Sequence, residues 1–228
     1  MDDSVLREDP HRAVQVAQKG APPSRAKAAM IMLHGRGGSA EDMLALVDIL
    51  ARPDLAYVAP QAAAHSWYPH PFTASIERNE PWLSSALRVI DTLLERLGDA
   101  GFGSERVALL GFSQGACLAL EYAARHARRY AGVIGLSGGL IGPEGTPRDY
   151  PGSLAGTPVF LGCSDVDPHI PLARVRDTTA VLRRLGAVVT ERIYPGMGHL
   201  INEDEIGFVR GLLASLAGDL FRPRGETL

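Results

Sequence analysis

The chain has 228 residues and a formal charge of −3 at pH 7, and 46% of its residues are apolar. These values are ordinary for a globular protein and exclude collagenous, disordered and disulfide-stapled chains. The near-neutral charge also argues against nucleic acid as a partner, because proteins that bind it carry a clustered basic surface. At this length a single hydrophobic core can form without metals or disulfides.

Both ends of the chain are predicted to lie outside the folded domain. Residues 1–12 form a polar extension without the apolar segment of a secretory signal, and residues 219–228 form a frayed tail without apolar periodicity. The longest apolar run is far shorter than the ~20 residues that cross a bilayer. The two cysteines require no oxidising compartment. We therefore expect a cytoplasmic protein with one domain, residues 13–218, and no membrane span.

Short apolar runs alternate with longer amphipathic runs along the chain. The short runs are mostly continuous, as in strands buried on both faces of a sheet, and they are Ala28–Leu33, Tyr57–Ala59, Val107–Leu110, Val133–Leu136, Val159–Leu161 and Glu191–Tyr194. A further strand over Val14–Ala17 is expected to pair antiparallel with this sheet. The amphipathic runs predict helices at about 40–50, 83–98, 114–127, 172–185 and 203–217, the last capped by Asn202. This alternation predicts a single α/β domain with a mostly parallel central sheet and helices on both faces.

One long stretch, Gln61–Pro81, has neither helical nor strand periodicity and contains several prolines, histidines and aromatic residues. Structureless loops of this length are unusual in a compact domain and are often functional. We expect this loop to form a wall of the active site, with Trp67, Tyr68 and Phe72 as candidate substrate-binding residues. The alternative is a surface loop whose aromatic side chains only pack it against the body of the protein.

The sharpest chemical signal is the pentapeptide Gly111-Phe-Ser-Gln-Gly115, which lies between a predicted strand and a predicted helix. In a G-x-S-x-G turn of this context, the serine occupies a strained backbone position that projects its hydroxyl as a nucleophile. The next backbone N–H, that of Gln114, lies at a helix N-terminus and can receive an oxyanion. The alternative is an ordinary turn with a helix-capping serine. The context favours Ser113 as a nucleophile.

A serine nucleophile needs a base, which on such a fold follows both the nucleophile and the acid in the chain. Three histidines follow Ser113. His126 lies in the helix that begins at the nucleophile and is carried away from it. His169 follows the candidate acids too closely to approach Ser113 from a separate loop. His199, in a glycine-rich turn after the last predicted strand, is therefore the predicted base.

The acid that orients His199 must lie between Ser113 and His199 in the chain. Asp165 and Asp167 directly follow a predicted strand, at the sheet edge where this fold class places its sites. The spacing does not separate these two candidates. We expect one to cap the turn and the other to orient the histidine.

A second oxyanion donor is predicted in the loop His34-Gly-Arg-Gly-Gly38, where three glycines let backbone N–H groups converge; Arg36 and its neighbours are the candidates. This loop lacks the residue order of a phosphate-binding loop, which disfavours nucleotide binding. His65 and His70 lack the spacing of metal ligands, so we predict no metal.

Four ordered motifs resemble those of the phospholipase/carboxylesterase family of α/β-hydrolases: His34-Gly-Arg-Gly-Gly38, Gly111-Phe-Ser-Gln-Gly115, Asp167-Pro-His-Ile-Pro171 and Gly196-Met-Gly-His199. The resemblance implies the α/β-hydrolase fold, a cofactor-free Ser–Asp–His hydrolase and no large lid domain. It assigns the acid to Asp167, because the aspartate of the family stands directly before a proline. It assigns the oxyanion donors to the backbone N–H groups of Gln114 and Arg36.

The resemblance further implies a serine carboxylesterase that acts on small acyl esters through an acyl-enzyme. The alternatives are a thioesterase for acyl-thioesters or acylated proteins and, less favoured, a non-catalytic binding protein of the same fold. The family usually has an apolar residue where this chain has Arg36, so we expect the guanidinium to favour anionic or polar acyl groups. Small members sometimes form homodimers. Cys117 is expected in the core, whereas the more distant dienelactone hydrolases place a cysteine at the nucleophile position.

Overall fold

The computed structural model describes residues 9–219, so most of the two predicted terminal extensions, residues 1–8 and 220–228, lies outside the described residues. The described residues form seven strands and five α-helices. In chain order these are β1 (Val16–Gly20), β2 (Ala29–Leu33), α1 (Ala40–Leu50), β3 (Ala56–Pro60), α2 (Trp82–Asp99), β4 (Val107–Phe112), α3 (Gln114–Arg125), β5 (Gly132–Leu136), β6 (Pro158–Ser164), α4 (Leu172–Arg184), β7 (Val188–Tyr194) and α5 (Glu203–Asp219). Within this part of the chain, no helix combines the length and the hydropathy that a membrane span requires.

The strands form a single sheet in the order β1-β3-β2-β4-β5-β6-β7. Strand β1 pairs antiparallel with β3, and every other neighbouring pair is parallel. The predicted antiparallel strand at the edge is therefore confirmed, although it begins two residues later than we expected. Because the parallel strands share one direction, the loops that follow β2, β4, β6 and β7 meet at the same edge of the sheet.

Helices cover both faces of the sheet, as the sequence pattern predicted. The apolar residues of α1 and α5 pack on one face, and those of α2, α3 and α4 pack on the other. Side chains of β2 alternate between these two layers, with Met30 and Met32 on the first face and Ile31 and Leu33 on the second. All four are fully buried, which explains why the strand is a continuous apolar run.

Side-chain caps fix where two of the helices begin. Ser39 and Asp42 form a capping box at the start of α1, in which each side chain accepts the backbone N–H of the other residue. Asn202 caps α5 in the same reciprocal way with Glu205, with both hydrogen bonds at 2.9 Å. The second cap lies three residues after His199 and ties the loop that carries this histidine to the start of a helix.

The segment before β1 differs from our expectation of a polar, peripheral extension. His11 is only 2% exposed. Its Nε2 lies 3.0 Å from the carbonyl oxygen of Trp67, and its Nδ1 accepts the N–H of Ala63 at 3.1 Å. These partners lie 52 and 56 residues further along the chain, so no local sequence pattern could reveal them. This contact anchors the long loop after β3.

Candidate active site

Ser113 occupies the sharp turn between β4 and α3, with φ of 54° and ψ of −118°. This is the strained conformation that the pentapeptide predicted, and it is sustained by two close approaches of the backbone. A Cβ atom on Gly111 would lie 2.2 Å from the carbonyl oxygen of Gly115, and a Cβ atom on Gly115 would lie 2.1 Å from that of Leu33. Only glycine fits at either position, so the turn cannot form with larger residues there.

The structure brings together the three predicted triad residues at the ends of three strands. The Nε2 atom of His199 lies 2.8 Å from the Oγ atom of Ser113, and its Nδ1 atom lies 2.7 Å from the Oδ2 atom of Asp167. A carboxylate can only accept, so the proton of the imidazole belongs on Nδ1. Nε2 is then free to accept the proton of the serine hydroxyl.

Asp167 is surrounded by hydrogen-bond donors. Burial of its side chain raises the pKa, but the hydrogen bonds from His199 and from the backbone N–H groups of His169 and Ile170 outweigh this effect. The pKa of Asp167 therefore lies below its ordinary value of 3.8. The carboxylate stays charged at neutral pH and can stabilise a protonated His199.

Asp167 also caps its own turn, because it accepts the N–H groups of His169 and Ile170, so the neighbouring candidate acid, Asp165, has neither of the two roles that we expected. Its Oδ1 atom accepts the N–H of Gly196 at 2.8 Å, and the Oγ atom of Ser164 accepts the N–H of Gly198 at 3.0 Å. These two bonds hold the glycine-rich turn that carries His199. Asp165 thus fixes the histidine loop, while Asp167 contacts the imidazole itself.

The two predicted oxyanion donors flank Ser113. Gln114 is the first residue of α3, and Arg36 lies in the loop after β2. That loop packs against the nucleophile, because a Cβ atom on Gly35 would lie 3.3 Å from the Cβ atom of Ser113. Within residues 9–219, the N–H groups of Arg36 and Gln114 have no protein acceptor. Both are therefore available to a bound substrate.

A cavity of about 410 Å³ lies beside Ser113 and His199. Its apolar lining is formed by Tyr68, Pro69, Pro71, Phe72, Phe112 and Ile170. Tyr68 and Phe72 thus lie where the sequence analysis expected substrate contacts, and the loop after β3 forms one wall.

Trp67 corrects that expectation. Its side chain is fully buried and does not line the cavity. Its indole N–H donates to the carbonyl oxygen of His34 at 2.9 Å, and its ring packs between the rings of His11 and His34. The alternative explanation, an aromatic residue that packs the loop against the body of the protein, is the correct one for Trp67.

The guanidinium of Arg36 also differs from its expected role. Its Nη1 and Nη2 atoms donate to four oxygen atoms of the cavity wall, within residues 66–70. These donors are engaged with protein atoms, so they do not project toward a ligand as the expectation for anionic or polar acyl groups required.

His169, which we excluded as the base, is a residue of the site that the sequence did not predict. Its ring lies edge-on to that of His199, with 4.9 Å between the ring centroids, and it lines the cavity. The sequence contained one signal for this placement: His169 lies two residues after Asp167, and the turn that brings Asp167 to the site brings the His169 side chain with it.

Cys117 lies one turn into α3 and is buried, as expected, although it also contributes to the cavity lining. Burial raises the pKa of its thiol to about 12. The thiol is therefore protonated at neutral pH and cannot compete with Ser113 as a nucleophile.

A second buried acid lies in the first turn of α5. Glu205 lies near the N-terminus of this helix, and its side chain is fully buried. Its Oε2 atom accepts the N–H of Asn202, whereas Oε1 has no partner among the described residues and lies over Gly162. Burial raises the pKa of Glu205 to about 7. This carboxyl therefore titrates near neutral pH.

The sheet topology and this site together define an α/β-hydrolase: a serine turn follows β4, an acid follows β6, and a histidine follows β7. The sequence profile of the Phospholipase/Carboxylesterase family matches residues 14–216. The chain therefore belongs to the phospholipase/carboxylesterase family.

Individual relatives agree with this assignment. The crystal structure of a phospholipase/carboxylesterase from Dyadobacter fermentans DSM 18053 is 42% identical, covers 88% of this chain and 97% of that chain, and has a TM-score of 0.85. Acyl-protein thioesterase 1 of Gibberella zeae is 30% identical over 146 residues, which span 61% of each protein. Lysophospholipase-like protein 1 of Mus musculus is 25% identical over 218 residues, 87% of this chain and 91% of that protein.

Proposed function

We propose that this protein is a serine carboxylesterase that hydrolyses small acyl esters through a Ser113–His199–Asp167 triad and an acyl-enzyme intermediate. The observation that carries the proposal is the chain of two hydrogen bonds, 2.8 Å and 2.7 Å, that joins Ser113 to His199 and His199 to Asp167 beside an apolar cavity. Membership of the phospholipase/carboxylesterase family supports the same chemistry.

The first half of the reaction transfers the acyl group to the enzyme. The Oγ atom of Ser113 attacks the ester carbonyl carbon while its proton passes to Nε2 of His199. Asp167 stabilises the resulting imidazolium through Nδ1, and the N–H groups of Arg36 and Gln114 donate to the oxyanion. Collapse of the tetrahedral intermediate breaks the ester bond. The proton on His199 then passes to the departing alkoxide, which leaves as an alcohol.

The second half of the reaction releases the acid. A water molecule gives a proton to His199 and attacks the acyl carbonyl carbon, and the same two N–H groups hold the second oxyanion. Collapse of this intermediate breaks the bond to Ser113, and His199 returns the proton to the serine oxygen. No cofactor or metal is needed for either half of the reaction.

The size and lining of the cavity favour one class of acyl group. Its volume of about 410 Å³ is at the lower end of the range for small-molecule sites. The apolar part of the lining includes Phe112, Tyr68 and Ile170. We therefore assign the cavity to an uncharged acyl chain of short to medium length.

A thioesterase is the second candidate, because the chain is similar to acyl-protein thioesterase 1 of Gibberella zeae. The same triad would attack either ester, so the leaving group decides between the two activities. Parallel kcat/KM measurements on oxygen esters and thioesters with the same acyl chain distinguish them. A non-catalytic binding protein, the third alternative, would turn over neither substrate.

The test is hydrolysis of p-nitrophenyl esters from acetate to palmitate by the wild-type protein and by Ser113→Ala. We expect turnover by the wild type, with a preference for short to medium chains. We expect a loss on the order of 10⁴–10⁶-fold in the variant, because the triad acts as a unit. Circular dichroism checks that the variant is folded. A folded Ser113→Ala variant with wild-type turnover would refute the proposal.

Two further expectations accompany this function as predictions from composition and family resemblance. We propose a cytoplasmic enzyme, and we propose that it can form a homodimer. Light scattering on the purified protein measures the oligomeric state, and a mass of one chain at all concentrations would contradict the homodimer.

A further inference from the structure

The wall of the cavity contains a short segment, residues 66–70, that we call the wall segment. It includes neither helix nor strand. Its carbonyl groups therefore have no ladder of backbone donors, and Pro69 and the following Pro71 contribute no N–H at all. Besides the packing of its own Trp67 against the body of the protein, the position of this segment depends on hydrogen bonds from side chains elsewhere in the molecule.

The guanidinium of Arg36 supplies those donors. Its Nη1 atom lies 3.1 Å from the Oγ atom of Ser66 and 3.0 Å from the carbonyl oxygen of Pro69. Its Nη2 atom lies 2.9 Å from the carbonyl oxygens of Tyr68 and His70. Within residues 9–219, Arg36 forms no ion pair with a carboxylate. One planar guanidinium thus donates hydrogen bonds to four oxygen atoms of the wall segment.

The side chain of Gln114 holds the same segment from the other side. Its Nε2 atom donates to the carbonyl oxygen of Tyr68 at 2.8 Å, and its Oε1 atom accepts the N–H of Trp67 at 2.9 Å. Arg36 and Gln114 are also the two residues whose backbone N–H groups we assign to the oxyanion hole. Each residue therefore joins the oxyanion hole, through its backbone, to the cavity wall, through its side chain.

We propose that the Arg36 guanidinium is a positioning residue that fixes the wall segment relative to the oxyanion hole and thereby sets the acyl-chain selectivity of the enzyme. This inference rests on the proposed esterase function. It follows from the four hydrogen bonds and from the placement of Tyr68 and Pro69, which belong to the wall segment and line the cavity. The guanidinium acts through these residues and does not need to touch the substrate.

The chemistry of arginine makes the proposal specific. A guanidinium presents several N–H donors in a rigid plane, whereas the ammonium of lysine is a compact point charge on a flexible stem. Lysine at position 36 would keep the positive charge and the backbone N–H but could not span the same four oxygen atoms. If the role is positioning, lysine cannot replace arginine at position 36. If the role is purely electrostatic, lysine can replace it.

The experiment compares wild type, Arg36→Lys and Arg36→Leu on p-nitrophenyl acetate, butyrate, hexanoate and octanoate, with kcat and KM determined separately. We expect both variants to lose roughly tenfold of the selectivity in kcat/KM between the preferred and the least preferred chain, as expected when pocket contacts are misplaced. We expect the loss to fall mainly on KM for the preferred chain. Lysine should not rescue the wild-type profile.

Arg106 provides a matched control. Its guanidinium also binds backbone carbonyls, those of Lys27 and Gly101, but at the opposite edge of the sheet, where β4 begins. We expect Arg106→Leu to keep the wild-type chain-length profile, even if it lowers the melting temperature. A change in that profile equal to the change in Arg36→Leu would overturn the proposal, because selectivity would then follow general stability.

Two other results would also overturn it. A wild-type chain-length profile in Arg36→Lys would mean that a positive charge at position 36 is sufficient for the selectivity. If Arg36→Leu does not fold, Arg36→Lys alone provides the test. A selective loss of turnover of the anionic ester mono-p-nitrophenyl glutarate, with an unchanged neutral series, would mean that Arg36 binds a charged acyl group. The Ser113→Ala variant distinguishes failure of the proposed function from failure of this inference. If Ser113→Ala retains turnover, the proposed function fails. If turnover depends on Ser113 but both Arg36 variants keep the wild-type selectivity, only this inference is refuted.

Discussion

The two sides of the cavity are built in different ways. On one side, Ser113, Asp167 and His199 follow directly on β4, β6 and β7 or lie a few residues beyond them, so the hydrogen-bond ladder of the sheet fixes the points from which their loops begin. On the other side, the wall segment has no ladder and is held by side chains from elsewhere in the chain, those of Arg36 and Gln114 together with His11 and Asn79. We call these the strand side and the wall side.

The two kinds of construction predict which properties of the enzyme each side controls. In the proposed reaction, the strand side holds the reacting atoms of Ser113 and His199. The wall side shapes the volume beside them and depends on a few polar contacts. Changes on the strand side should therefore affect the rate of hydrolysis, and changes on the wall side should affect selectivity and local stability.

The largest effect within the strand side, after the loss of Ser113 itself, is expected for Asp167→Asn. The amide would retain an oxygen for the N–H groups of His169 and Ile170 but would lose the charge that stabilises protonated His199. We expect kcat to fall on the order of 10⁴-fold, because the histidine is left in the wrong tautomer. Steady-state kinetics on the preferred p-nitrophenyl ester measures this, and a fall of less than tenfold would contradict the assignment of Asp167.

A smaller effect, on stability, is expected for Glu205→Gln. The pKa of Glu205 is raised by burial from 4.5 to about 7, so the folded protein favours the neutral acid. The stabilising contribution of this group is fully present below about pH 4.5 and is lost as the pH rises through about 7. Between about pH 5 and about pH 8, the wild type should lose on the order of 2 kcal/mol more unfolding free energy than the variant.

Urea denaturation of both proteins at the two pH values measures that difference. The comparison between wild type and variant cancels the titration of every other group. Equal losses in the two proteins would mean that Glu205 is charged in the folded state. Asp167, which accepts several hydrogen bonds, and Glu205, which accepts one, would then both be charged. The number of hydrogen-bond donors would not explain which buried carboxyl group is charged.

The smallest effect is expected on the wall side at acidic pH. His11 and His34 accept the N–H groups of Ala63 and Ala62 on the ring nitrogens Nδ1 and Nε2, respectively. Burial lowers the pKa of both histidines below 6.5, and protonation would remove both acceptors. The stability that they contribute is present above about pH 6.5 and is lost as the pH falls through their folded pKa values.

Trp67 reports on this change, because its ring lies 5.5 Å from that of His11 and 5.1 Å from that of His34. The chain has two tryptophans, so Trp82→Phe isolates the signal. We expect the fluorescence of Trp67 to change at a midpoint below pH 6.5, before global unfolding is detected by circular dichroism. A midpoint above pH 6.5 would show that the histidines are stabilised in their charged form.

The sequence predicted the strand side well, because its signals are local. Continuous apolar runs located the strands to within a few residues, and the G-x-S-x-G turn and the last glycine-rich turn marked Ser113 and His199. The choice between Asp165 and Asp167 needed the family resemblance or the structure, since the two side chains point to different partners from the same short turn.

The wall side was predicted only as a location. Its loop has no periodicity, and its contacts connect residues far apart in the chain: Arg36 to Pro69, and His11 to Trp67. A sequence shows which side chains can donate or accept, but it does not show which distant partner satisfies them. For that reason only the structure decides between the two roles considered for Trp67, and only the structure shows that Arg36 binds the wall segment.

The most direct test of the central claim is to trap the nucleophile. Wild-type protein and Ser113→Ala are treated with a fluorophosphonate, and the labelled peptide is located by tandem mass spectrometry. We expect a single adduct on Ser113 in the wild type and none in the variant, because the neighbouring His199 activates only this hydroxyl. An adduct on another residue, or no adduct in folded wild-type protein, would contradict the assignment of Ser113 as the nucleophile.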